Sequence, residues 1–253
     1  MVRGLDTFRN HFADFKDKYV LIGGAASSEL MAQSGLEFRA TVDLDIVLIV
    51  EALTPDFVRA FWDFIRHGKY GSRSQSQNER KYYRFEKPEA ENYPKCIELF
   101  SRIPDGISFE GQGTFTPIPV EEDLSSLSAI LLDDDYYPLI MKGKIDIDGL
   151  SCLKAEYIII LKAKAWLDMT KRKENGERID SKNIKKHKSD IFWLFPVLEP
   201  DLKIELPESV KADLAEYFDV LEKDTTINLA NYKIRRINLQ EIVSRFKQLY
   251  DLR

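Results

Sequence analysis

The sequence predicts an α+β fold, a mixed sheet flanked by helices and followed by a helical C-terminal region. Three observations carry this. Short apolar runs bounded by turn residues, the pattern of buried strands, dominate from about residue 19 to 145. Longer stretches with apolar residues at helical spacing dominate after 150. Between the first two apolar runs stand a glycine pair, Gly23-Gly24, and an acid pair, Asp43 and Asp45. Strands first and helices after is the α+β pattern, and it divides the chain into 1–148 and 149–253, with the boundary falling somewhere in 121–150.

The elements follow in order. Leu5, Phe8, Phe12 and Phe15 mark one helical face. Tyr19–Ile22 is short enough to be one buried strand, and Ala25–Gln33 has helical composition. Asp43–Val50 is the second strand. Thr54-Pro55 opens a helix to about His67, with Thr54 as N-cap and Pro55 at the first position. A polar loop, Gly68–Glu79, leads to strands at Lys81–Glu86 and Lys95–Ser101. After a Pro/Gly-rich loop, strand-like runs are expected at Thr116–Val120, Leu127–Leu132 and Tyr137–Ile145. Leu150–Thr170 is the strongest helical stretch. Helices are also expected at Ser189–Phe195, Pro207–Leu221 and Leu239–Leu252, with a charged hinge at Lys171–Lys188.

Composition narrows the class. Of 253 residues 44% are hydrophobic, with 15 Phe and 11 Tyr, enough for a packed core and against disorder. A formal charge of −5 gives no overall nucleic-acid signature, though a local basic region remains open. Cys96 and Cys152 have neither CxxC nor His spacing, so a disulfide framework or zinc site is not expected and a reducing cytoplasm is. The N-terminal stretch lacks an apolar signal core, and no run approaches the ~18 apolar residues of a membrane span. None of His11, His67 and His187 pairs with a Cys or Asp in a hydrolase or zinc pattern. No GxxxxGK[ST] or GxSxG occurs. The acid clusters Asp133-Asp134-Asp135 and Asp146-Ile147-Asp148 read as turns.

The chemistry concentrates in Gly23–Asp45. Side chains alternate along a strand, so Asp43 and Asp45 share a face. Two carboxylates so placed repel unless a cation lies between them, and Mg²⁺ takes such oxygens while keeping positions open for phosphates. The glycines let backbone approach a ligand closely, at a strand end where a helix N-terminus favours anions. Glu98 is a further carboxylate within an apolar strand, sharing a face with Cys96 and Phe100. It is either a third acid of the site or a residue on an exposed sheet face.

Gly-Gly, a helix, then Asp-x-Asp on the next strand resembles the nucleotidyltransferase superfamily that includes DNA polymerase beta. Arg39-x-Thr41-x-Asp43-x-Asp45 resembles more narrowly the AbiEii-type nucleotidyltransferases of abortive-infection and toxin–antitoxin systems. The resemblance implies a polymerase-beta-like core and transfer of NMP from an NTP, with Mg²⁺ (or Mn²⁺), to a hydroxyl of RNA or tRNA, protein or a small molecule. It implies metal binding by Asp43, Asp45 and Glu98, with Glu98 as ligand or general base. It also implies nucleotide contacts from Gly23, Gly24 and Thr41, and an antitoxin partner. The superfamily often carries Ser or Thr at or after the second glycine. Here Ala25 stands, and Ser27 or Ser28 is the nearest substitute hydroxyl.

Later in the chain Ala155, Ile159, Lys162, Trp166 and Met169 form a 4-3-4-3 helical seam. Lys162 within it either snorkels to solvent or enters a polar site, while Lys164 on the other face reads as a solvent residue. Lys162–Asp168 resembles the lysine-bearing helix of the AbiEii family, whose lysine reaches the nucleotide phosphates, and Lys188-Ser189-Asp190 resembles, loosely, its K-D-x-x-D-L motif, which implies Lys188 and Asp190 as parts of the nucleotide site. Ser189 and Trp193 depart from the motif's acids. Asp190 orients a lysine or base on that reading, or simply favours a helix start. Lys171–Lys188 holds eight Lys/Arg and three acids, a solvated hinge or an acceptor-strand surface. Two rival readings stand beside the first: an antibiotic-modifying type of small-molecule nucleotidyltransferase, and a degenerate fold used for binding.

Overall fold

A computed structural model describes residues 2–71, 83–100, 130 and 133–252. The chain divides into two compact units: Met1–Glu121 with Ile140–Lys154, and Glu122–Leu139 with Ala155–Arg253. The first unit carries a six-stranded mixed sheet and the second is helical among its described residues.

In the first unit the elements are α1 (Leu5–His11), β1 (Tyr19–Ile22), α2 (Gly23–Gln33), β2 (Asp43–Leu48), α3 (Pro55–Gly68), β3 (Tyr83–Glu86) and β4 (Cys96–Phe100). A short helix, α4 (Tyr137–Lys142), spans the division between units and leads to β5 (Lys144–Ile147) and β6 (Leu150–Leu153). The strand order is β3-β4-β2-β1-β6-β5. β2 pairs in parallel with β4, and β1 with β6; the other neighbours are antiparallel. Central strands with no polar alternation, such as β1 and β6, are buried throughout, as strands covered on both faces must be.

One face of the sheet presents Tyr19, Leu21, Leu44, Ile46, Phe85, Ile97 and Leu99, by alternation and register. An aromatic cluster packs there. Phe8 meets Tyr19 edge-on with centroids 5.3 Å apart, Phe12 meets Phe64 at 5.3 Å, and Phe61 meets Phe85 at 5.8 Å. The apolar stripe of α3 supplies Phe57, Phe61 and Phe64 to this core. Thr54 caps α3 as expected, its hydroxyl accepting from the Phe57 amide at 3.3 Å.

Several expected elements differ. Tyr137–Ile145 is a short helix followed by the start of β5, not one strand. Leu150–Leu153 is strand β6, and the long helix begins only at Ala155. An apolar tetrad is ambiguous by periodicity alone, and pairing beside β1, with Leu21 opposite Cys152, decides it. The turn expected at Asp146–Asp148 is shifted. Asp146 and Ile147 belong to β5, and Asp148-Gly149 forms a two-residue hairpin with φ of 48° and 86°. The position 148/149 lies in that hairpin. The run Thr116–Val120 lies outside the described residues, as does Leu127–Leu132 apart from Ile130.

The second unit contains α5 (Ala155–Glu174), α6 (Ser181–Leu194), α7 (Glu208–Glu222) and α8 (Leu239–Leu249). Most of the expected charged hinge is helix. α5 runs on to Glu174, Gly176 turns the chain at φ 90°, and Asp180 caps α6 by accepting from the Lys182 amide at 2.8 Å. Cations in the last turn of α5 complement its dipole, which favours this extension. Phe218 of α7 stacks on Phe246 of α8 at 4.9 Å, and Asn238 and Glu241 form a capping box for α8. Among the described residues no helix is long and apolar enough to cross a membrane.

Candidate functional site

In the first unit the candidate residues gather where β1 ends. The chain turns directly into α2, and Gly23 is its first residue, with φ 62°. A Cβ on Gly23 would lie 1.9 Å from Asp45 Oδ2, and one on Gly24 would lie 2.4 Å from Thr41 Oγ1. Both glycines are therefore closed against the acid-bearing segment, and any side chain there would push Asp45 or Thr41 aside. No side chain caps the N-terminus of α2. Ser27 is fully buried and donates to the Gly23 carbonyl at 2.7 Å, so its proton is engaged within the helix. Ala25 is fully buried.

The register builds a row across four strands. Arg84 of β3 lies opposite Glu98 of β4, Glu98 opposite Asp45 of β2, and Asp45 opposite Ile22 of β1. The next row holds Glu86, Cys96 and Asp43. Asp43, Asp45 and Glu98 thus share one sheet face, opposite to the aromatic cluster. Glu98 is 9% exposed. Burial raises its carboxyl well above the ordinary range. The Asp45 charge and a hydrogen bond with Asp45 push the same way, and Arg84 opposes them. The Arg84 guanidinium reaches Glu86 at 2.6 Å and Glu98 at 3.5 Å. Arg84 does not stand out in the sequence by motif or spacing. Its signal was a charged residue inside an aromatic strand, the same signal that marked Glu98.

A divalent cation fits part of this arrangement. A buried carboxyl beside a half-buried one, raised by its burial and by that neighbour, is what a bound cation relieves. Among the described residues, however, no three His, Cys, Asp or Glu side chains are gathered in a metal-holding cluster. The fit is an incomplete ligand set of Asp45 and Glu98, with Asp43 two residues along the same face.

Beside Thr41 a cleft of about 450 Å³ opens between α2 and residues 36–41, lined by Ser28, Ala32, Leu36, Phe38, Arg39 and Thr41. The Arg39 guanidinium lies over the Phe38 ring at 5.1 Å and donates to the Ala40 carbonyl at 3.3 Å.

In the second unit Lys162 of α5 pairs with Asp190 of α6, Nζ to Oδ2 3.0 Å, and the Asp190 side chain is fully buried. The seam containing Lys162 is core, with Ala155, Ile159 and Met169 buried, and Trp166 packs on Tyr217 at 5.2 Å. Lys162 therefore does not snorkel. Lys164, expected in solvent, is half-buried. It pairs with Asp213 at 2.6 Å, which also accepts from the Tyr136 hydroxyl at 2.7 Å. Lys188 pairs with Asp224, and Trp193 packs edge-on against Tyr232 at 5.9 Å. The first unit thus assembles Gly23, Gly24, Thr41, Asp43, Asp45 and Glu98, and the second joins Lys162 to Asp190.

No family model matches the chain, and no curated protein matches it. A solved structure described as an antigenic nucleotidyltransferase-like protein from Paracoccidioides brasiliensis aligns with 95% of this chain and 94% of its own, at 18% identity and a TM-score of 0.43.

Proposed function

We propose that the protein is a nucleotidyltransferase that moves NMP from an NTP to an acceptor hydroxyl with a divalent cation, Mg²⁺ or Mn²⁺. The observation that carries this reading is the opposition of Asp45 and Glu98 on parallel neighbouring strands, with Gly23 closed against Asp45 at the uncapped start of α2. Acids for a cation and helix-start amides for phosphates are the two halves of a nucleotide site. The sequence resemblance to AbiEii-type enzymes adds the finer reading of a toxin with an antitoxin partner.

In this reading Asp43, Asp45 and Glu98 hold the cation. When bound, it would polarise the α-phosphate and stabilise departing pyrophosphate. The amides at the uncapped start of α2, Gly23 and Gly24 among them, would meet the phosphate oxygens. Thr41, against Gly24, offers a hydroxyl to the same phosphates. Glu98 is the third ligand or, alternatively, the general base that takes the acceptor's proton. Within the helical unit, Asp190 fixes the Lys162 ammonium.

A second reading, a degenerate fold that binds without catalysis, is favoured by one observation. Ala25 supplies no hydroxyl, and the Ser27 proton is engaged by Gly23. Calorimetric titration of each NTP with and without Mg²⁺, on wild type and the Asp43→Ala/Asp45→Ala variant, tests both. Mg²⁺-dependent binding lost in the variant is expected, and no such binding in the folded wild type refutes the proposal. Incubation with labelled NTPs, total RNA and lysate then separates the readings. Label in RNA, protein or a small molecule identifies the acceptor, and binding without any transfer selects the degenerate fold.

A further inference from the structure

Arg84 is the cation on the acid row. It faces Glu98 directly across the β3–β4 pair, and both side chains are largely buried, at 17% and 12% exposure. Its contacts with the two acids are unequal. The Nε–Glu86 Oε1 separation is 2.6 Å, whereas Nη1 stands 3.5 Å from Glu98 Oε1. The Nε proton is not aligned on Glu86, so both contacts are ion pairs, and the one with Glu86 is the closer. On the other side of Glu98 lies Asp45, whose carboxylate reaches back to Gly23.

We propose that Arg84 is the resident counter-ion of this row, and that a divalent cation binds by displacing its guanidinium from Glu98 while Glu86 retains it. The inference rests on the nucleotidyltransferase reading of the acids. It places Glu98 between two charged neighbours, Arg84 across the β3–β4 pair and Asp45 across the β2–β4 pair. Arg84 is on this account a positioning residue, and Glu86 sets how readily it yields.

The test is Mn²⁺ titration followed by electron paramagnetic resonance, without nucleotide, on wild type, Asp45→Asn, Arg84→Gln, Arg84→Lys and Glu86→Gln. Circular dichroism confirms folding of each. Removing a like charge beside the ion is expected to tighten Mn²⁺ binding roughly three- to tenfold in Arg84→Gln. Arg84→Lys keeps the charge and stays near wild type. Glu86→Gln frees the guanidinium to remain on Glu98 and weakens binding. Arg84→Gln binding equal to or weaker than wild type overturns the proposal, as does Glu86→Gln binding equally or more tightly. The Glu86→Gln result decides by itself if Arg84→Gln does not fold. Failure of this inference alone shows as wild-type binding abolished by Asp45→Asn but untouched, or reduced, in Arg84→Gln. A folded wild type that binds no Mn²⁺ overturns both this and the reading beneath it.

Discussion

Gly23→Ala is the most revealing single perturbation of the site. Two costs can be worked from the structure. Gly23 has φ 62°, in the left-handed region, and a Cβ there costs about 1–2 kcal/mol. The new Cβ would also fall 1.9 Å from Asp45 Oδ2 and 2.9 Å from its Cγ. The obstacle is the end of a side chain, not backbone, so Asp45 rotates away at a further ~0.5–1.5 kcal/mol. Gly35 provides the control: its φ is 67°, and nothing lies within 4 Å of a Cβ placed on it. Gly35→Ala therefore carries the backbone cost alone. Urea unfolding of both variants should show Gly23→Ala as the less stable, by the Asp45 term. Calorimetry should show Mg²⁺-dependent NTP binding lost in Gly23→Ala and intact in Gly35→Ala. If the two variants match in stability and in binding, Gly23 is an ordinary turn residue and its closure against Asp45 has no functional meaning.

Two further outcomes are expected in the helical unit. Lys162→Met leaves the fully buried Asp190 carboxylate without its ammonium partner, and breaking a buried pair costs about 3–5 kcal/mol. The double variant Lys162→Met/Asp190→Leu should recover much of this in urea unfolding, and additive losses would show that the two side chains are not coupled. Asp224 supplies a pH test. Burial raises its carboxyl, but hydrogen bonds from Lys188 and Thr226 outweigh this and hold it below the ordinary aspartate range. Its contribution is therefore complete above the unfolded pKa and is lost as pH falls through the folded one. Asp224→Asn should lower stability at neutral pH and make the acid limb of a stability–pH profile shallower. An unchanged profile would contradict the pairing.

Sequence alone determined the features set by neighbouring residues. Thr54-Pro55 announced the start of α3, because capping and a fixed φ are local. Gly23-Gly24 and the alternation of Asp43 with Asp45 were equally plain, because turn and strand geometry act over a few residues. Glu98 and Lys162 stood out as charges inside apolar patterns, but their partners did not. Whether Glu98 faced solvent or Asp45 depended on β4 pairing with β2 in one register, and a shift of one residue would have turned it to the other face. Tertiary structure alone decided that Leu150–Leu153 is a strand, since a tetrad of that kind takes its form from the edge it pairs with. It also brought Arg84 opposite Glu98, and Asp190 beneath Lys162, across 14 and 28 residues of chain respectively. Burial of a charge demands a partner, but a linear pattern does not say which one. Only the folding of strand against strand and helix against helix makes that choice.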